Sequence, residues 1–365
     1  MSEMTFENLI LEKDGLIKGP FGSDVKKSLF IPYKKGAYKI YEQGIVLNKD
    51  ISEGSYYLEE EYVDKKLTRF VVKAGDYLLT GAGTLGELFK VPQQAPKGII
   101  NQALLRIRLN ENVIDDMFFP YYFKFHIKNI IKRLNGDSVI PNLPPLPIIK
   151  ATEVKIPTKK HQQKIARVLS SLDDKIELNN KINAALEKLA KTIYEYWFVQ
   201  NAEEKWERKS LRELGEFKNG ANYEKANEIE KYLLNENDIV FARSGIPGAT
   251  RLIEKTEEDV IFCGFAIRFR LNDKSLKDYL FFPLKQNEEF AKNKSGGSIM
   301  PNISQDSLKE ISITIPPNSI LEKFNKTVSP LFSTIIKNRQ ESAHLAQLRD
   351  FLLPLLMNGQ VTFNP

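Results

Sequence analysis

The sequence predicts an α+β protein built from two copies of one β-rich domain, each followed by a long helix. Three observations lead to this fold class. Similar segments recur about 160 residues apart, which indicates an internal duplication. Short apolar runs split by Gly, Pro and Asn are typical of β-strands. Two segments with apolar residues in heptads are typical of paired helices, and pseudo-twofold symmetry would pair the two helices as an antiparallel coiled coil.

One pair of segments shows the duplication most clearly. The stretches IINQALLRIRLN (99–110) and IFCGFAIRFRLN (261–272) are identical at five of twelve positions, and both end in Arg-x-Arg-Leu-Asn. Downstream motifs recur in the same order: FFP at 118–120 and 281–283, and GDSVIPNLP at 136–144 with GGSIMPNIS at 296–304. The charged positions paired by this alignment are Asp76 with Asp238 and Arg108 with Arg270. We expect the paired charges to belong to the scaffold of both copies.

Each copy begins with a β-rich domain. We predict the first over residues 1–157 and the second over residues 201–317, because short apolar runs separated by turn residues fill both. A helical stretch is predicted near the end of each domain, at 115–134 and 276–294. An extra segment, roughly residues 26–65, is found in the first copy, so we expect the first domain to be the larger one.

A long helix follows each domain, over residues 158–200 and 318–365. With Ile165 taken as position a, apolar residues fill most a and d positions. The a positions are Ile165, Leu172, Asn179, Leu186 and Ile193 in the first helix and Phe324, Leu331, Asn338, Leu345 and Leu352 in the second; the d positions of the first helix are Val168, Ile182, Leu189 and Tyr196, with Lys175 the exception. Ser319 and Glu322 predict a capping box at the start of the second helix.

Asn179 and Asn338 fall on equivalent a positions of the two helices. Two interpretations stay open for them. A buried Asn in a helix seam lowers stability but fixes the register of pairing. Alternatively, both asparagines face solvent at a wide seam.

The stretch DYLLTGAGTLGELFKV (76–91) contains G-x-G-x-x-G, which after a strand is typical of a dinucleotide-binding loop. That loop needs a helix directly after it, and the residues from Glu87 to Pro92 leave no room for one. In the second copy Arg243 replaces Gly81, where a side chain would block the phosphates. Both copies keep the two later glycines of the motif. We therefore predict a hairpin turn here, and no cofactor site.

Few residues suggest catalysis. His126, His161 and His344 fall on different predicted helices without metal-ligand spacing, so we expect ordinary surface or core residues. Cys263 lies in an apolar stretch and is predicted to be a small core residue. The sequence contains no P-loop, zinc-protease, serine-hydrolase or amino-methyltransferase motif. A duplicated chain without a catalytic set is more typical of a binding protein than of an enzyme.

The composition sets broad limits. With 365 residues, 42% of them hydrophobic, the chain can form two or three sizeable cores. A single cysteine suits a reducing compartment, and neither a signal peptide nor a membrane span is evident, so we expect a cytoplasmic protein. The formal net charge of +6 is a modest indication of a polyanionic partner.

Several motifs resemble one known family. The central block, IPTKKHQQKIARVLSSLDDKIELNNKINAALEKLAKTIYEYWF, is similar to the central conserved region of the specificity (S) subunits of type I restriction–modification systems. The residues that carry this likeness are Gln163 to Ala166 and Leu172 to Asn183. LRDFLLPLLMNGQV resembles the distal conserved region, and DIVFARSGIPG resembles a turn of the target recognition domains. The chain departs from the family pattern in TKKHQQ, where Leu-x-Glu-Gln is common, and in the unequal size of its two domains.

This resemblance implies a function without catalysis by the chain itself. Each β-rich domain would be a target recognition domain that reads one half of a bipartite, asymmetric site in double-stranded DNA. The paired helices would set the gap between the halves and dock two modification subunits, which carry S-adenosylmethionine and methylate adenine. Restriction subunits, with ATP and Mg²⁺, would translocate and cut DNA. No cofactor is expected in this chain.

Residue types in the repeated turns and strand ends indicate candidate DNA contacts. Polar side chains can read base edges, and arginine can bind guanine through two hydrogen bonds, which makes Arg243 the strongest candidate. The candidate base readers are Lys18, Ser23, Thr80, Asn101, Gln102, Asn222, Arg243 and Ser244, and the candidate phosphate contacts are Lys132, Arg133, Lys292 and Lys294. Asn142 and Asn302 are more typical of turn formers. For each candidate the alternative is an ordinary solvated residue.

Two other function classes stay open from the residues alone. The first is a protein-interaction scaffold with two β-rich modules on a coiled-coil strut, which would show no salt-dependent binding of duplex DNA. The second is an enzyme with an unrecognised site, such as a recognition piece detached from a fused nuclease–methylase, which would bind S-adenosylmethionine by itself.

Overall fold

The computed structural model describes residues 2–81, 83–127, 143–220, 229–254, 259–294 and 303–361, and of residues 127, 287 and 289–294 it describes the backbone alone. The chain divides into two compact units, which we call unit 1 (Met1–Asp174 with Leu345–Pro365) and unit 2 (Lys175–His344). Each unit contains one β-rich domain and parts of both long helices. Within the described ranges, no helix is long and apolar enough to cross a membrane.

The strands and helices follow the predicted duplication. The strands of unit 1 are β1 (Ser2–Thr5), β2 (Leu16–Lys18), β3 (Tyr38–Tyr41), β4 (Tyr57–Leu58), β5 (Val71–Val72), β6 (Tyr77–Thr80), β7 (Leu88–Lys90), β8 (Gly98–Ile100), β9 (Leu104–Ile107) and β10 (Glu153–Ile156). Its helices are α1 (Gln43–Asn48), α2 (Glu60–Lys66), α3 (Phe119–Tyr122) and α4 (Leu146–Ala151), with a π-helical turn at Phe123–Ile127 and 3₁₀ turns at Phe6–Leu9, Lys27–Leu29 and Thr68–Phe70.

The long helix α5 (Lys159–Glu195) contributes to both units and continues as a π-helical turn, Tyr196–Gln200. The strands of unit 2 are β11 (Glu207–Ser210), β12 (Gly215–Asn219), β13 (Ile239–Ala242), β14 (Thr250–Leu252), β15 (Ala266–Leu271) and β16 (Ser312–Ile315). Its helices are α6 (Leu211–Leu214), α7 (Lys277–Lys294) and α8 (Gln305–Lys309), with a 3₁₀ turn at Lys274–Leu276, and the second long helix is α9 (Asn318–Met357).

The two units repeat one sheet topology, which confirms the predicted repetition of an α+β domain. Unit 1 has an antiparallel sheet in the order β2-β9-β6-β7, and unit 2 has one in the order β12-β15-β13-β14. Each unit also has a two-stranded sheet, β1-β10 or β11-β16. Lys18 pairs with Leu105 and Asn219 pairs with Ile267. The structural equivalent of Lys18 is therefore Asn219.

The extra segment of the first copy contributes β3 and β4 to a second sheet in unit 1. Its strand order is β4-β3-β8-β5, with β3 and β8 parallel. Ile40, Leu58, Val63 and Ile99 give this sheet a small core of its own. This sheet has no counterpart among the described residues of unit 2, so the larger size predicted for the first domain is confirmed.

An ion pair with a buried carboxylate joins equivalent strands in the sheet that the two units share. Asp76 accepts hydrogen bonds from Arg108 Nε at 2.6 Å and Nη2 at 3.0 Å, and Asp238 accepts from Arg270 Nε and Nη2, both at 2.7 Å. Each carboxylate also accepts a backbone N–H three residues earlier, at 2.7 Å in both units. The paired charges therefore belong to the scaffold, as the alignment predicts.

Polar atoms line the seam between the two long helices within unit 2. Asn179 is fully buried, and its Nδ2 donates to Glu341 Oε2 at 2.7 Å. Asn338 Nδ2 donates to Asn183 Oδ1 at 2.9 Å. Later residues of α5 contact earlier residues of α9, so the helices are antiparallel here. The buried interpretation of Asn179 is confirmed, and Asn338 is half-buried.

The heptad phase predicted for α5 needs a correction. Along α5, buried and half-buried residues recur at alternating spacings of four and three. They occupy positions a, such as Ile165 and Asn179, and positions e, such as Leu169 and Asn183. The predicted d residues Ile182, Leu189 and Tyr196 are exposed. Leucine and isoleucine occur on both faces of α5, so the apolar pattern alone could not select the seam.

The capping box predicted at Ser319 is also wrong, because α9 already begins at Asn318. Pro317 precedes the helix, and its carbonyl accepts hydrogen bonds from the amides of Ile320 and Leu321. Ser319 therefore lies inside the first turn and cannot be its N-cap.

Removal of the buried carboxylates should destabilise each unit. Asp76→Ala leaves Arg106 and Arg108 without their carboxylate partner, and Asp238→Ala does the same to Arg270. We expect a loss of about 3–5 kcal/mol for Asp76→Ala, and less for Asp238→Ala because Arg270 is more exposed. Chemical denaturation followed by circular dichroism measures both losses.

Tryptophan fluorescence adds a unit-specific measurement, since both tryptophans, Trp197 and Trp206, lie in unit 2. The control is Glu60→Ala, which removes an exposed ion pair with Lys97 and should change stability by less than about 1 kcal/mol. Equal stability of Asp76→Ala and Glu60→Ala would contradict the scaffold role.

Candidate nucleic-acid interface

Three loops meet at one end of the strands in the sheet that the two units share, β2-β9-β6-β7 in unit 1 and β12-β15-β13-β14 in unit 2. We call them rim 1 (residues 18–24, 81, 83–87 and 101–103) and rim 2 (residues 219–220, 243–249 and 263–265). The first loop follows β2 or β12. The second is the hairpin between β6 and β7 or between β13 and β14, and the third precedes β9 or β15.

The same backbone hydrogen bonds hold both rims. The amide of Gly81 donates to the carbonyl of Ala103 at 2.8 Å, and the amide of Arg243 donates to the carbonyl of Phe265 at 2.8 Å. The amide of Ile303 donates to the carbonyl of Arg243 at 3.0 Å, and Leu143 makes the corresponding contact with Gly81 at 3.4 Å. These contacts join main-chain groups, so both rims can form them with different side chains.

A glycine brings the first and third loops into backbone contact. A Cβ on Gly19 would lie 1.8 Å from the carbonyl oxygen of Asn101, and a Cβ on Gly220 would lie 1.8 Å from that of Cys263. No side chain fits such a gap. The close approach is therefore built into both copies.

The G-x-G-x-x-G stretch forms the predicted hairpin turn. Strand β6 pairs antiparallel with β7, and Gly83 and Gly86 have positive φ angles of 66° and 78°. Gly245 and Gly248 have φ angles of 79° and 83° in the second hairpin. These glycines supply left-handed backbone for a turn, so the prediction of a turn is confirmed.

Thr80 does not fit its predicted role as a base reader. Its side chain is fully buried, and its Oγ1 accepts a hydrogen bond from the amide of Glu87 at 3.0 Å. The hydroxyl therefore holds the hairpin and is not presented at the surface.

The other candidates of rim 1 lie at its surface. Lys18, Ser23 and Gln102 are exposed. Asn101 is half-buried, and its Oδ1 accepts a hydrogen bond from the amide of Ala103 at 3.0 Å, which leaves its Nδ2 as the atom offered outward. Rim 1 thus presents an ammonium group, a hydroxyl group and two amide groups.

Rim 2 carries different chemistry on the same backbone. Arg243 is exposed, and its guanidinium makes no hydrogen bond or ion pair within the described ranges, so all its donors are available. Ser244 is half-buried beside it. Cys263, predicted to be a core residue, is exposed, because it lies in the turn before β15 while its neighbour Phe262 is buried.

Several candidates fall where the side chains are not described. Lys132, Arg133, Asn142, Asn222 and Asn302 lie outside the described residues. Lys292 and Lys294 lie in the last turns of α7. Their roles stay predictions.

The sequence analysis missed two apolar rim residues. Phe21 is 83% exposed and Phe265 is 70% exposed. Phe265 belongs to an alternating strand-like run, so the pattern favoured a buried position. For Phe21, the flanking Gly-Pro and Gly were a signal for a protruding turn.

Each unit also has a groove between its long-helix segments and its domain. The groove of unit 2, about 560 Å³, is lined by Tyr194, Phe282 and Phe332 among others. In the smaller groove of unit 1, Asp173 accepts hydrogen bonds from Tyr121 and Arg349, both at 2.6 Å. Burial, with the hydrogen bond to Asp173, raises the pKa of the Tyr121 hydroxyl. These partners make the groove an interhelical contact more than a reactive site.

In the described part of the chain, no group of three or more His, Cys, Asp or Glu residues is arranged to hold a metal ion. His126 is half-buried, and burial lowers its pKa. His161 Nδ1 lies 3.0 Å from Thr158 Oγ1 at the start of α5.

Comparison with known proteins shows one consistent group. The family model of the type I restriction modification DNA specificity domain matches residues 23–188 and 215–347. The chain is 29% identical to the MjaIX specificity subunit of a type I restriction enzyme from Methanocaldococcus jannaschii, over 85% of this chain and 83% of that protein. It is 22% identical to the MjaVIII specificity subunit of the same organism, over 91% of each protein.

A crystal structure of a type I restriction–modification S subunit from M. genitalium has the same fold. The two chains superpose with a TM-score of 0.60 at 18% sequence identity, covering 97% of this chain and 95% of the other. The repeated domains and long helices described above are therefore shared with a protein of very different sequence.

Proposed function

Since the chain belongs to the type I restriction modification DNA specificity domain family, we propose that it is the DNA-recognition subunit of a type I restriction–modification complex. Rim 1 reads one half of a bipartite DNA site and rim 2 reads the other half. The chain supplies sequence recognition, and its partner subunits supply the chemistry.

One observation carries this proposal: two rims share a backbone scaffold and differ in their outward side chains. The equivalent hydrogen bonds Gly81–Ala103 and Arg243–Phe265 keep the loops alike. Rim 1 offers amides and an ammonium group, whereas rim 2 offers a free guanidinium. Base pairs differ in the donors and acceptors that they present in the major groove. Different side chains on one scaffold are thus suited to different half-sites, and an asymmetric target follows.

Phosphate contacts would position the rims on the duplex. The net charge of +6 favours a polyanion, and Lys18 and Arg243 add positive charge at the rims. Lys132, Arg133, Lys292 and Lys294 remain the proposed phosphate contacts outside the rims.

The proposed partners are those that membership of this family implies. We assign adenine methylation and S-adenosylmethionine to two modification subunits, and DNA translocation and cleavage with ATP and Mg²⁺ to restriction subunits. A complex that acts on the chromosome of a prokaryotic cell works in the cytoplasm.

Exposed apolar residues on the long helices support docking of modification subunits. Leu178, Ile182 and Leu189 form an exposed stripe along one face of α5, and exposed Tyr196 continues it in the π-helical turn that follows. Leu348, the repeat equivalent of Leu189, is exposed on α9 to a similar degree, 45% against 48%. Contiguous exposed apolar surface is typical of a protein–protein interface. Equivalent patches on two helices suit two copies of one partner.

The helix pair is also assigned the spacing between the half-sites. Asn179, Asn183 and Asn338 fix the register of α5 against α9 through side-chain hydrogen bonds. A one-turn slip would leave these amides buried without partners, which costs about 1–3 kcal/mol for each group. A fixed register of α5 against α9 would keep the gap between the two half-sites constant.

Reconstitution tests the proposed function. The chain co-expressed with a cognate modification subunit should methylate adenine at one bipartite, asymmetric sequence, mapped by sequencing of modified bases. The chain alone should bind duplex DNA with an affinity that falls steeply as salt rises, and should transfer no methyl group. Methyl transfer by the purified single chain would overturn its proposed non-catalytic role. Methylation by the complex without any sequence preference would overturn the proposed recognition function.

Arg243→Ala should relax one base position of the half-site read by rim 2. A bidentate arginine–guanine contact contributes roughly 1–3 kcal/mol of discrimination, so the change is visible in a map of methylated sites. Arg243→Lys separates the alternatives, because lysine keeps a phosphate contact and loses the bidentate geometry. The matched control is Arg251→Ala, which removes an exposed arginine of β14 outside the rim. A change in the half-site read by rim 1 would contradict the assignment.

Leu189→Glu and Leu348→Glu should each remove one modification subunit from the complex. A charge placed in the apolar docking patch would be buried on assembly without a partner. Native mass spectrometry should show one modification subunit for each single variant and none for the double variant. The control is Ala184→Glu, which adds the same charge at an exposed position on another face of α5. Full assembly of the double variant would exclude these patches as the docking surface.

A further inference from the structure

Each rim places one phenylalanine ring in water. Phe21, at 83% exposed, and Phe265, at 70%, are the most exposed phenylalanines among the described residues. Phe21 belongs to the first loop of rim 1, and Phe265 belongs to the third loop of rim 2. These two loops are the ones that Gly19 and Gly220 bring into backbone contact within their own units. The same place in both copies therefore carries an exposed ring, although different loops supply it.

The two rings are held out by ordered backbone. The carbonyl of Phe21 accepts a hydrogen bond from the amide of Asp24 at 2.9 Å, and Tyr62 Oη anchors the carbonyl of Asp24 at 2.9 Å. Buried Pro20 fixes the chain on the other side. The carbonyl of Phe265 accepts the amide of Arg243 at 2.8 Å. A fixed loop that exposes a large apolar ring loses little conformational entropy when a partner covers the ring.

The rings of Phe21 and Phe265 differ from the exposed ring of Tyr33 in their packing against other rings. Tyr33 is 74% exposed, but its ring packs edge-on against Tyr57 at a centroid distance of 5.4 Å. Among the described residues, neither Phe21 nor Phe265 has an aromatic ring partner. Their faces are therefore available for stacking.

The backbone that carries each ring contacts a candidate base reader. A methyl group on Gly22 would lie 3.1 Å from Gln102 Oε1, so the loop of Phe21 passes directly along that amide. Phe265 is joined to Arg243 by the hydrogen bond given above. A ring that enters the duplex would do so next to the base pair that Gln102 or Arg243 contacts.

We propose that Phe21 and Phe265 are apolar wedges, each of which inserts between two base pairs of the half-site read by its own rim. This inference rests on the proposed function. Wedging unstacks a base step and kinks the duplex, and apolar side chains are the residues that proteins use for it. Pyrimidine–purine steps are the most easily unstacked. Each half-site should therefore contain a TA or CA/TG step beside the base pair that the rim reads, and the wedges make the deformability of that step part of the recognised sequence.

Permanganate oxidation of thymine tests the wedges, because every TA or CA/TG step contains a thymine and permanganate attacks it once it is unstacked. The complex with modification subunits is bound to a duplex that carries its mapped site. Wild-type protein should make the thymine or thymines of the wedged base step reactive in each half-site. Phe21→Ala should abolish this reactivity at the wedged step of the rim 1 half-site alone, and Phe265→Ala at the wedged step of the rim 2 half-site alone. Each variant should bind roughly tenfold to a hundredfold more weakly, as expected for the loss of one ring–base stack.

Three controls distinguish insertion of the rings from a general loss of binding. Leucine can also act as a wedge, so Phe21→Leu and Phe265→Leu should keep much of the reactivity. Tyr33→Ala removes an equally exposed aromatic residue outside the rim and should change neither half-site. A thymine opposite an adenine that a modification subunit extrudes should react in all variants, which verifies that the complex has formed.

Three results would overturn the inference while the proposed function stands. The first is unchanged thymine reactivity in both alanine variants. The second is wild-type affinity in both. The third is a loss of wild-type affinity, on replacing thymine with uracil in the DNA, as large as the loss caused by the alanine substitutions. That result would show that the rings touch thymine methyl groups in the groove. A wild-type complex without any bipartite site would instead overturn the proposed function, and the wedges with it.

Discussion

The bidentate ion pair at the strand ends opposite each rim is the constraint on which the proposed recognition surfaces depend. Asp76–Arg108 joins the start of β6 to the end of β9, and Asp238–Arg270 joins β13 to β15 in the same way. The rim hairpin and the third loop extend from the other ends of these strands. Because each carboxylate also holds the turn before its strand, one buried charge fixes the position of all these segments. The loop side chains can then vary without loss of the scaffold.

The two rims divide this work between backbone and side chain. Hydrogen bonds between main-chain groups shape both rims. In each rim a glycine also allows a close backbone contact, because a Cβ at that position would lie 1.8 Å from a carbonyl oxygen. No outward side chain is needed to maintain that shape. Under the proposed function, substitution at Gln102 or Arg243 alone would change the target, and the proposed phenylalanine wedges would add a dependence on how easily the duplex deforms.

The long helices combine two faces with different purposes. The inner face carries a polar layer around Asn179, where hydrogen bonds specify one antiparallel register at some cost in stability. The outer face carries Leu178, Ile182 and Leu189 in water. A heptad assignment that expects a single apolar face therefore places the outer residues in the seam, which is the error found in the predicted heptad phase.

The sequence by itself determined the duplication, the α+β class, the two long helices and the hairpin turn, because these follow from local pattern and from comparison of the chain with itself. It also placed Asp76, Asp238, Arg108 and Arg270 in the scaffold. Only the tertiary structure decided which helix face is buried, that Thr80 is enclosed, and that Cys263, Phe21 and Phe265 are exposed. Burial depends on what packs against a residue from distant parts of the chain. Hydrophobicity and spacing within one segment carry no information about that neighbour.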